Sequence, residues 1–186
     1  MTQRIGFAER RLSELLQLNG GDLNGADELQ RQQLVQEFFF HLVASIDMLA
    51  ASVNDSRTLK ISEDTITARK VAQQLCLDDP IKAKLCALYA RTSDQPLPEE
   101  RYDEKGYVFR LYNYRHQVSH RGRNPWAFNR GGNLPLITLQ LDPRNPPLGG
   151  SKLSVQEDLT NMLTLVKTKI SEILDMIRTQ ATETGH

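Results

Sequence analysis

Val35-Gln-Glu-Phe38-Phe39-Phe40-His41-Leu42-Val43-Ala44-Ser45-Ile46-Asp47-Met48-Leu49-Ala50-Ala51-Ser52-Val53 is the stretch on which the fold turns. Val35, Phe38, Phe39, Leu42, Ile46, Leu49, Ala50 and Val53 recur at three- and four-residue spacing, which keeps them on one side of an α-helix for about five turns. Alternation with period two, the mark of a half-buried strand, is absent here. A helix over roughly Asp27 to Asn54 that exposes one apolar stripe needs other helices to cover it.

The same periodicity recurs outward from this segment. A first helix from about Thr2 to Leu18 places Ile5, Ala8, Leu12, Leu15 and Leu16 on one side, and Asn19-Gly20-Gly21 stops it. A third starts at Ser62, a capping residue followed by Glu63 and Asp64, and carries Ile66, Val71 and Leu75. Asp79-Pro80 opens a fourth, with Ile81, Leu85, Leu88 and Tyr89, which ends near Arg91. Thr92 to Arg101 is a loop, and a fifth helix from about Tyr102 to Arg121 aligns Tyr107, Leu111, Tyr114 and Val118. Ser154-Val-Gln-Glu157 is a capping box that starts the last helix, which runs to about Thr179 and carries Leu159, Met162, Leu163, Val166, Ile170, Ile173, Leu174 and Ile177. Between the last two helices the period changes. Gly131-Gly132-Asn133 is a turn and Leu134 to Leu141 a strand, whose partner is either Trp126 to Asn129 or a segment near Leu153. The expected fold is all-α, a single domain over residues 1–186. It is an antiparallel up-and-down helical bundle of five to six helices with a small β-hairpin insertion, 126–150, before the last helix.

A chain of 186 residues can bury a substantial single core. Mean hydropathy of −0.46 and apolar runs such as Phe38-Phe39-Phe40, far short of the roughly 20 residues that cross a bilayer, predict no membrane partner. The start, Met1-Thr-Gln-Arg4, enters charged helical sequence without an apolar leader, so a cytoplasmic location is expected. Cys76 and Cys86 are too few for a disulfide framework and read as reduced core thiols.

Twenty-three basic residues balance 23 acidic ones, yet the balance is uneven along the chain. Lys105 to Leu141 holds Lys105, Arg110, Arg115, Arg121, Arg123 and Arg130 and no acid, a local charge of +6 against −6 for the rest. This stretch also holds Tyr107, Phe109, Tyr112, Tyr114, Trp126 and Phe128, half of the twelve aromatics, and two of the four histidines. Arginine engages phosphate oxygens bidentately and rings stack on bases, so the combination favours phosphate and base contact and predicts a polyanion site. Tyr107 and Tyr114 also fit a plain core role, and Arg110 and Arg130 a solvated one.

The densest part is Tyr112-Asn113-Tyr114-Arg115-His116-Gln117-Val118-Ser119-His120-Arg121-Gly122-Arg123. At about 100° per residue, Tyr112, Arg115, His116, Ser119 and Arg123 share one polar sector, with His120 at its edge. His116 and His120 have the spacing of a zinc-binding His-Glu-x-x-His pair. Gln117 stands where the glutamate base would be and no nearby acid offers a third ligand, so no metal and no cofactor are expected.

Arg115-His116-Gln-Val-Ser-His120 resembles the Arg-x(4 to 6)-His motif of the HEPN superfamily, small helical bundles in which a polar residue commonly follows the arginine. Arg110 to His116 has a matching spacing but carries Leu111 in the place of that polar residue. The resemblance implies a metal-independent endoribonuclease, in which the RNA's own 2′-hydroxyl attacks to leave a 2′,3′-cyclic phosphate. It implies His120 as the acid/base residue, Arg115 as the phosphate clamp and His116 as the orienting polar member, with Arg110, Tyr112, Asn113, Arg121 and Arg123 holding RNA. It also implies a homodimer, and a toxin or defence role with an antitoxin-type protein partner. Two other readings use the same residues. One is a non-catalytic RNA-, nucleotide- or protein-binding module. The other is structural, with Arg115 and His120 tied to carbonyls at the helix C-terminus near Gly122.

Overall fold

The computed structural model describes residues 1–18, 25–91, 96, 100, 103–120, 126–128, 137–139 and 153–184; at 25–28, 118–120, 126–128, 137–139, 181 and 183–184 it describes the backbone alone. Six α-helices lie among the described residues: α1 (Thr2–Gln17), α2 (Gly25–Ser56), α3 (Ala68–Gln74), α4 (Pro80–Cys86), α5 (Glu104–His120) and α6 (Val155–Thr184). The chain is thus predominantly helical, as the periodicity requires.

Polar contacts between helices fix their relative senses. Arg11 pairs with Glu37 at 2.5 Å while Arg4 reaches His41, so α1 runs against α2. Glu104 pairs with Lys169 and Arg110 with Asp158, so α5 runs against α6. Arg57, one residue beyond α2, bonds Gln180 late in α6, whereas Glu9 of α1 meets Lys167. The four long helices therefore alternate in direction, with α3 and α4 as a short pair on the flank.

The core is the stripe of α2, broadened by Leu34 and Val43, closed over by Ala8, Leu12 and Leu15 of α1 and by Leu159, Val166 and Ile173 of α6. Phe109, Leu111 and Tyr114 of α5 complete it, and the Phe39 and Tyr114 rings lie 5.6 Å apart. Burying a side chain such as Phe38 or Leu42 contributes roughly 1.5–3 kcal/mol each. Read by average hydropathy rather than by unbroken runs, Leu29–Ser56 is long and apolar enough to cross a membrane, but a core helix passes that same test.

The ends of the helices follow from specific atoms. The capping box forms at α6: the Ser154 backbone N–H donates to the Glu157 carboxylate at 2.9 Å, and the Glu157 N–H donates to the Ser154 hydroxyl at 3.2 Å. At α2 the chain closes a Schellman motif: Leu59 N–H donates to the Asn54 carbonyl, and Thr58 N–H donates to the Asp55 carbonyl. Thr58 occupies the left-handed position at φ 52°, where glycine is usual. The third helix begins later than Ser62 suggests. Glu63–Thr65 is a single 3₁₀ turn, Ile66 is extended, and α3 is capped by the Thr67 hydroxyl, which accepts from Lys70 N–H at 3.3 Å. Nor does α4 reach Arg91: the Leu88 and Tyr89 N–H groups donate to the Leu85 and Cys86 carbonyls, closing tight four-residue turns that keep Leu88 in the core.

Two further expectations change. Cys76 and Cys86 are both exposed free thiols rather than core residues: after α3 the buried position is taken by Leu75, and on α4 by Ile81 and Leu85. The β-hairpin insertion is not supported over its expected extent, 126–150, and only one short ladder is described there. Trp126–Phe128 and Ile137–Leu139, β1 and β2, pair antiparallel over three residues each, with Trp126 opposite Leu139. Residues 129–136 and 140–152 lie outside the described residues, and a pair that short has little stability of its own.

Candidate functional site

α5 is buried on more of its circumference than an amphipathic surface helix, which leaves a narrow sector to face outward. Phe109, Leu111 and Tyr114 enter the core, and Tyr112, Arg115 and His116 remain half-buried beside one another. These three line a cleft of about 450 Å³. Its other walls are Val43 and Asp47 of α2, Thr67 at the cap of α3, and Tyr89, Ala90 and Arg91 in the segment after α4.

The electrostatics of the cleft centre on Asp47. Burial pushes its carboxyl above the usual aspartate value, and the Arg115 guanidinium opposes that rise. The Tyr112 phenol is raised above its ordinary value first by burial, then by the charge of Asp47 and by Tyr89, with Arg115 opposing. Tyr112 is therefore a neutral hydroxyl across the physiological range. Its ring meets Tyr89 edge-on, with centroids 5.4 Å apart. The cleft thus joins two guanidinium cations, Arg91 and Arg115, with one imidazole, two phenols and one partly desolvated carboxylate.

The structure brings together Arg115, His116 and Tyr112 from the residues expected at a site. His120 is the last residue of α5, one turn beyond His116, and its side chain lies outside the described residues. Arg121, Arg123 and Arg130 also lie outside them. Arg110 and Asn113, expected to hold RNA, are instead core residues. Arg110 is 1% exposed and donates to Asp158 at 2.7 Å, with its guanidinium 4.6 Å from the centre of the Tyr107 ring. Burial disfavours that charge, but Asp158, Tyr114 and Tyr107 outweigh it and hold Arg110 more firmly protonated than usual. Asn113 is 3% exposed and accepts from the Gln117 amide at 2.8 Å. Both face the bundle because α5 packs against α2 and α6 at once.

The local charge is correspondingly reduced. Lys105 pairs with Glu100 at 2.8 Å and Arg110 with Asp158, both acids from outside the acid-free stretch. Asp47, Thr67, Tyr89 and Arg91 were not singled out by sequence. Asp47 carried a readable signal, being the one formal charge between Glu37 and Asp55 in a stretch of otherwise apolar and neutral residues. Thr67, Tyr89 and Arg91 carried none, since only folding places them opposite α5.

His41, away from the cleft, lies between Phe7 and Phe40, with ring centroids at 5.1 and 5.4 Å, and within 3.3 Å of Arg4. Its imidazole is held below the usual value by burial and then by Arg4, which fits a structural role at the α1–α2 seam. No protein-family model matches this chain, and no curated protein or solved structure matches it either.

Proposed function

We propose that this chain is a metal-independent endoribonuclease of HEPN type. The observation that supports it is the shared placement of Arg115 and His116 on one wall of an open cleft, with His120 one turn further along the same helix. Arg115 provides permanent positive charge for the crowded phosphorane, which a fixed cation stabilises more in the transition state than in the ground state. The 2′-hydroxyl gives its proton to an imidazole as its oxygen bonds phosphorus. The phosphorus–5′-oxygen bond then breaks and a second imidazole protonates the leaving oxygen. His120 fills the acid/base role, and His116 orients the phosphate or contacts it. The neutral Tyr112 hydroxyl is a further donor to a phosphate oxygen.

The reading includes a cytoplasmic homodimer, in which two copies of the motif meet and supply the two imidazoles, and an antitoxin-type partner. A non-catalytic RNA- or nucleotide-binding module is the second reading.

The test is incubation of the protein with mixed cellular RNA in EDTA, beside His120→Ala and Arg115→Ala. Cleavage by the wild type that both substitutions abolish is the expected result. Intact RNA bound in a salt-dependent way by all three proteins moves the assignment to the binding module. No binding at low salt removes both readings.

A further inference from the structure

A second cavity of about 550 Å³ adjoins the Arg115 cleft, and Tyr89 and Arg91 line both. It lies between α3 and α4 and is walled by Arg69, Ala72, Gln73, Lys82 and Cys86. Three cations from three separate segments, Arg69, Lys82 and Arg91, thus face one groove, and no carboxylate is among its described lining residues. In a chain of zero net charge that concentration is unexpected.

Of these cations, Lys82 is held in place by a bond to the backbone. The Lys82 ammonium donates to the Leu75 carbonyl at the C-terminus of α3 at 2.7 Å, a position favourable to positive charge. An ammonium has three donors, so this bond leaves two for another acceptor. Arg69 is half-buried in the first turn of α3, next to the Ala68 that anchors that helix in the core. Tyr89 stands where the groove meets the cleft, half-buried, with its ring edge-on to Tyr112. Phosphate needs fixed cations, a base needs an aromatic face, and a continuous strand needs the two to alternate along a path. Running from Arg69 and Lys82, past Tyr89 and Arg91, to Arg115 and His116, the lining has that order.

We propose that the α3–α4 groove is a second binding segment that receives the phosphate chain of single-stranded RNA on one side of the Arg115 cleft, with Arg69 and Lys82 as phosphate contacts. The proposal rests on the RNA-directed part of the function above, not on catalysis. A single small anion would need one of the two cavities. The linked pair, with cations at both ends, suits several consecutive phosphates.

Salt dependence of binding to a fluorescent single-stranded RNA of about a dozen nucleotides tests this, comparing wild type with the Arg69→Gln/Lys82→Gln variant. Each phosphate contact adds about −0.7 to the slope of log affinity against log salt for single strands, so the double variant should lower that slope by about 1.4. An unchanged slope in a variant of unchanged circular dichroism overturns the groove. Wild-type cleavage in EDTA is scored in parallel. Cleavage with an unchanged slope retains the ribonuclease and removes the groove. A reduced slope without cleavage retains the groove and removes the catalytic reading. If the wild type binds no RNA at low salt, both fall. A Lys82→Arg variant, which keeps the charge, should retain the wild-type slope; if it behaves as the glutamine does, the groove residues act through folding and the proposal fails.

Discussion

Replacing Asp158 by alanine is predicted to cost the protein about 3–5 kcal/mol, because it removes the buried carboxylate that balances the Arg110 guanidinium in the core. The pair joins α5 to α6 at 2.7 Å, with side-chain exposures of 1% and 0%. No water shell is available to the arginine left behind, and the Tyr107 ring over which it sits recovers only a small part of the loss. Domains of this class have in total about 5–15 kcal/mol, so the variant should be marginal at best. Arg110→Met/Asp158→Leu removes both charges and fills similar volume. It is predicted to lie between neutral and several kcal/mol more stable than wild type, because the desolvation of both ions is then avoided.

Urea unfolding followed by circular dichroism, with the slope against denaturant compared between variants, measures these differences. A loss under about 1 kcal/mol for Asp158→Ala would mean that water reaches Arg110, and would refute the placement of the pair. The double variant also bears on function. A core arginine contributes no phosphate contact, so the salt slope of RNA binding should match that of wild type. A slope lowered by about 0.7 would return Arg110 to the nucleic-acid surface.

Asp47→Asn should strengthen RNA binding and steepen its salt slope, by up to about 0.7 if a full charge is freed at Arg115. It should also raise stability at neutral pH. An aspartate whose folded pKa is raised has its full stability below the unfolded value of about 3.9 and loses it as pH rises through the folded value, so wild type and variant should converge in acid. Binding that weakens would show that Asp47 orients Arg115 rather than opposing it. Thr58→Gly is predicted to stabilise by about 1 kcal/mol, since the left-handed conformation at φ 52° costs a β-branched residue what glycine avoids; an unchanged urea midpoint would count against that. Asp79→Ala should cost about 1–2 kcal/mol at neutral pH, because the carboxylate accepts from Ile81 N–H at 2.8 Å as the cap of α4 and pairs with Arg57 at 2.7 Å. Burial alone would raise its pKa, but the Arg57 hydrogen bond, the Ile81 N–H and the Arg57 charge lower it on balance. The stability it contributes is thus present above about 3.9 and disappears as pH falls through the lower folded value. A wild-type advantage that persists in strong acid would contradict this.

The helices were legible where periodicity and capping agree. Val35 to Val53 has both length and an unbroken stripe, and Ser154 to Glu157 makes the reciprocal bonds its spacing implies. Ser62 was misleading because the same local chemistry is repeated at Thr67, and only Thr67 makes the cap bond in the fold. On α5 an apolar stripe was a poor guide. Arg110, Asn113 and Gln117 look like one polar face, yet each finds a buried partner, Asp158 or one another. Burial of a polar side chain depends on what the opposing helix offers. Asp158 is 48 residues away in sequence, so no local pattern reports it.

The same distance separates charge along the chain from charge in space. Counted in sequence, positive charge collects between Lys105 and Leu141. In the folded chain two of those six residues are spent on acids from elsewhere, Glu100 and Asp158, and a third, Arg115, stands near Asp47. Meanwhile Arg69, Lys82 and Arg91, which belong to the stretch with net negative charge, converge on a groove whose described lining holds no carboxylate. On the proposed RNA-directed reading, attraction for a polyanion follows α3, α4 and the segment after it as much as α5. If so, the salt slope of RNA binding should respond to Arg69 and Lys82 and not to Arg110, the reverse of the order that counting charges along the chain predicts. A measured order of Arg110 above Lys82 would show that the linear charge block, and not the groove, sets the affinity.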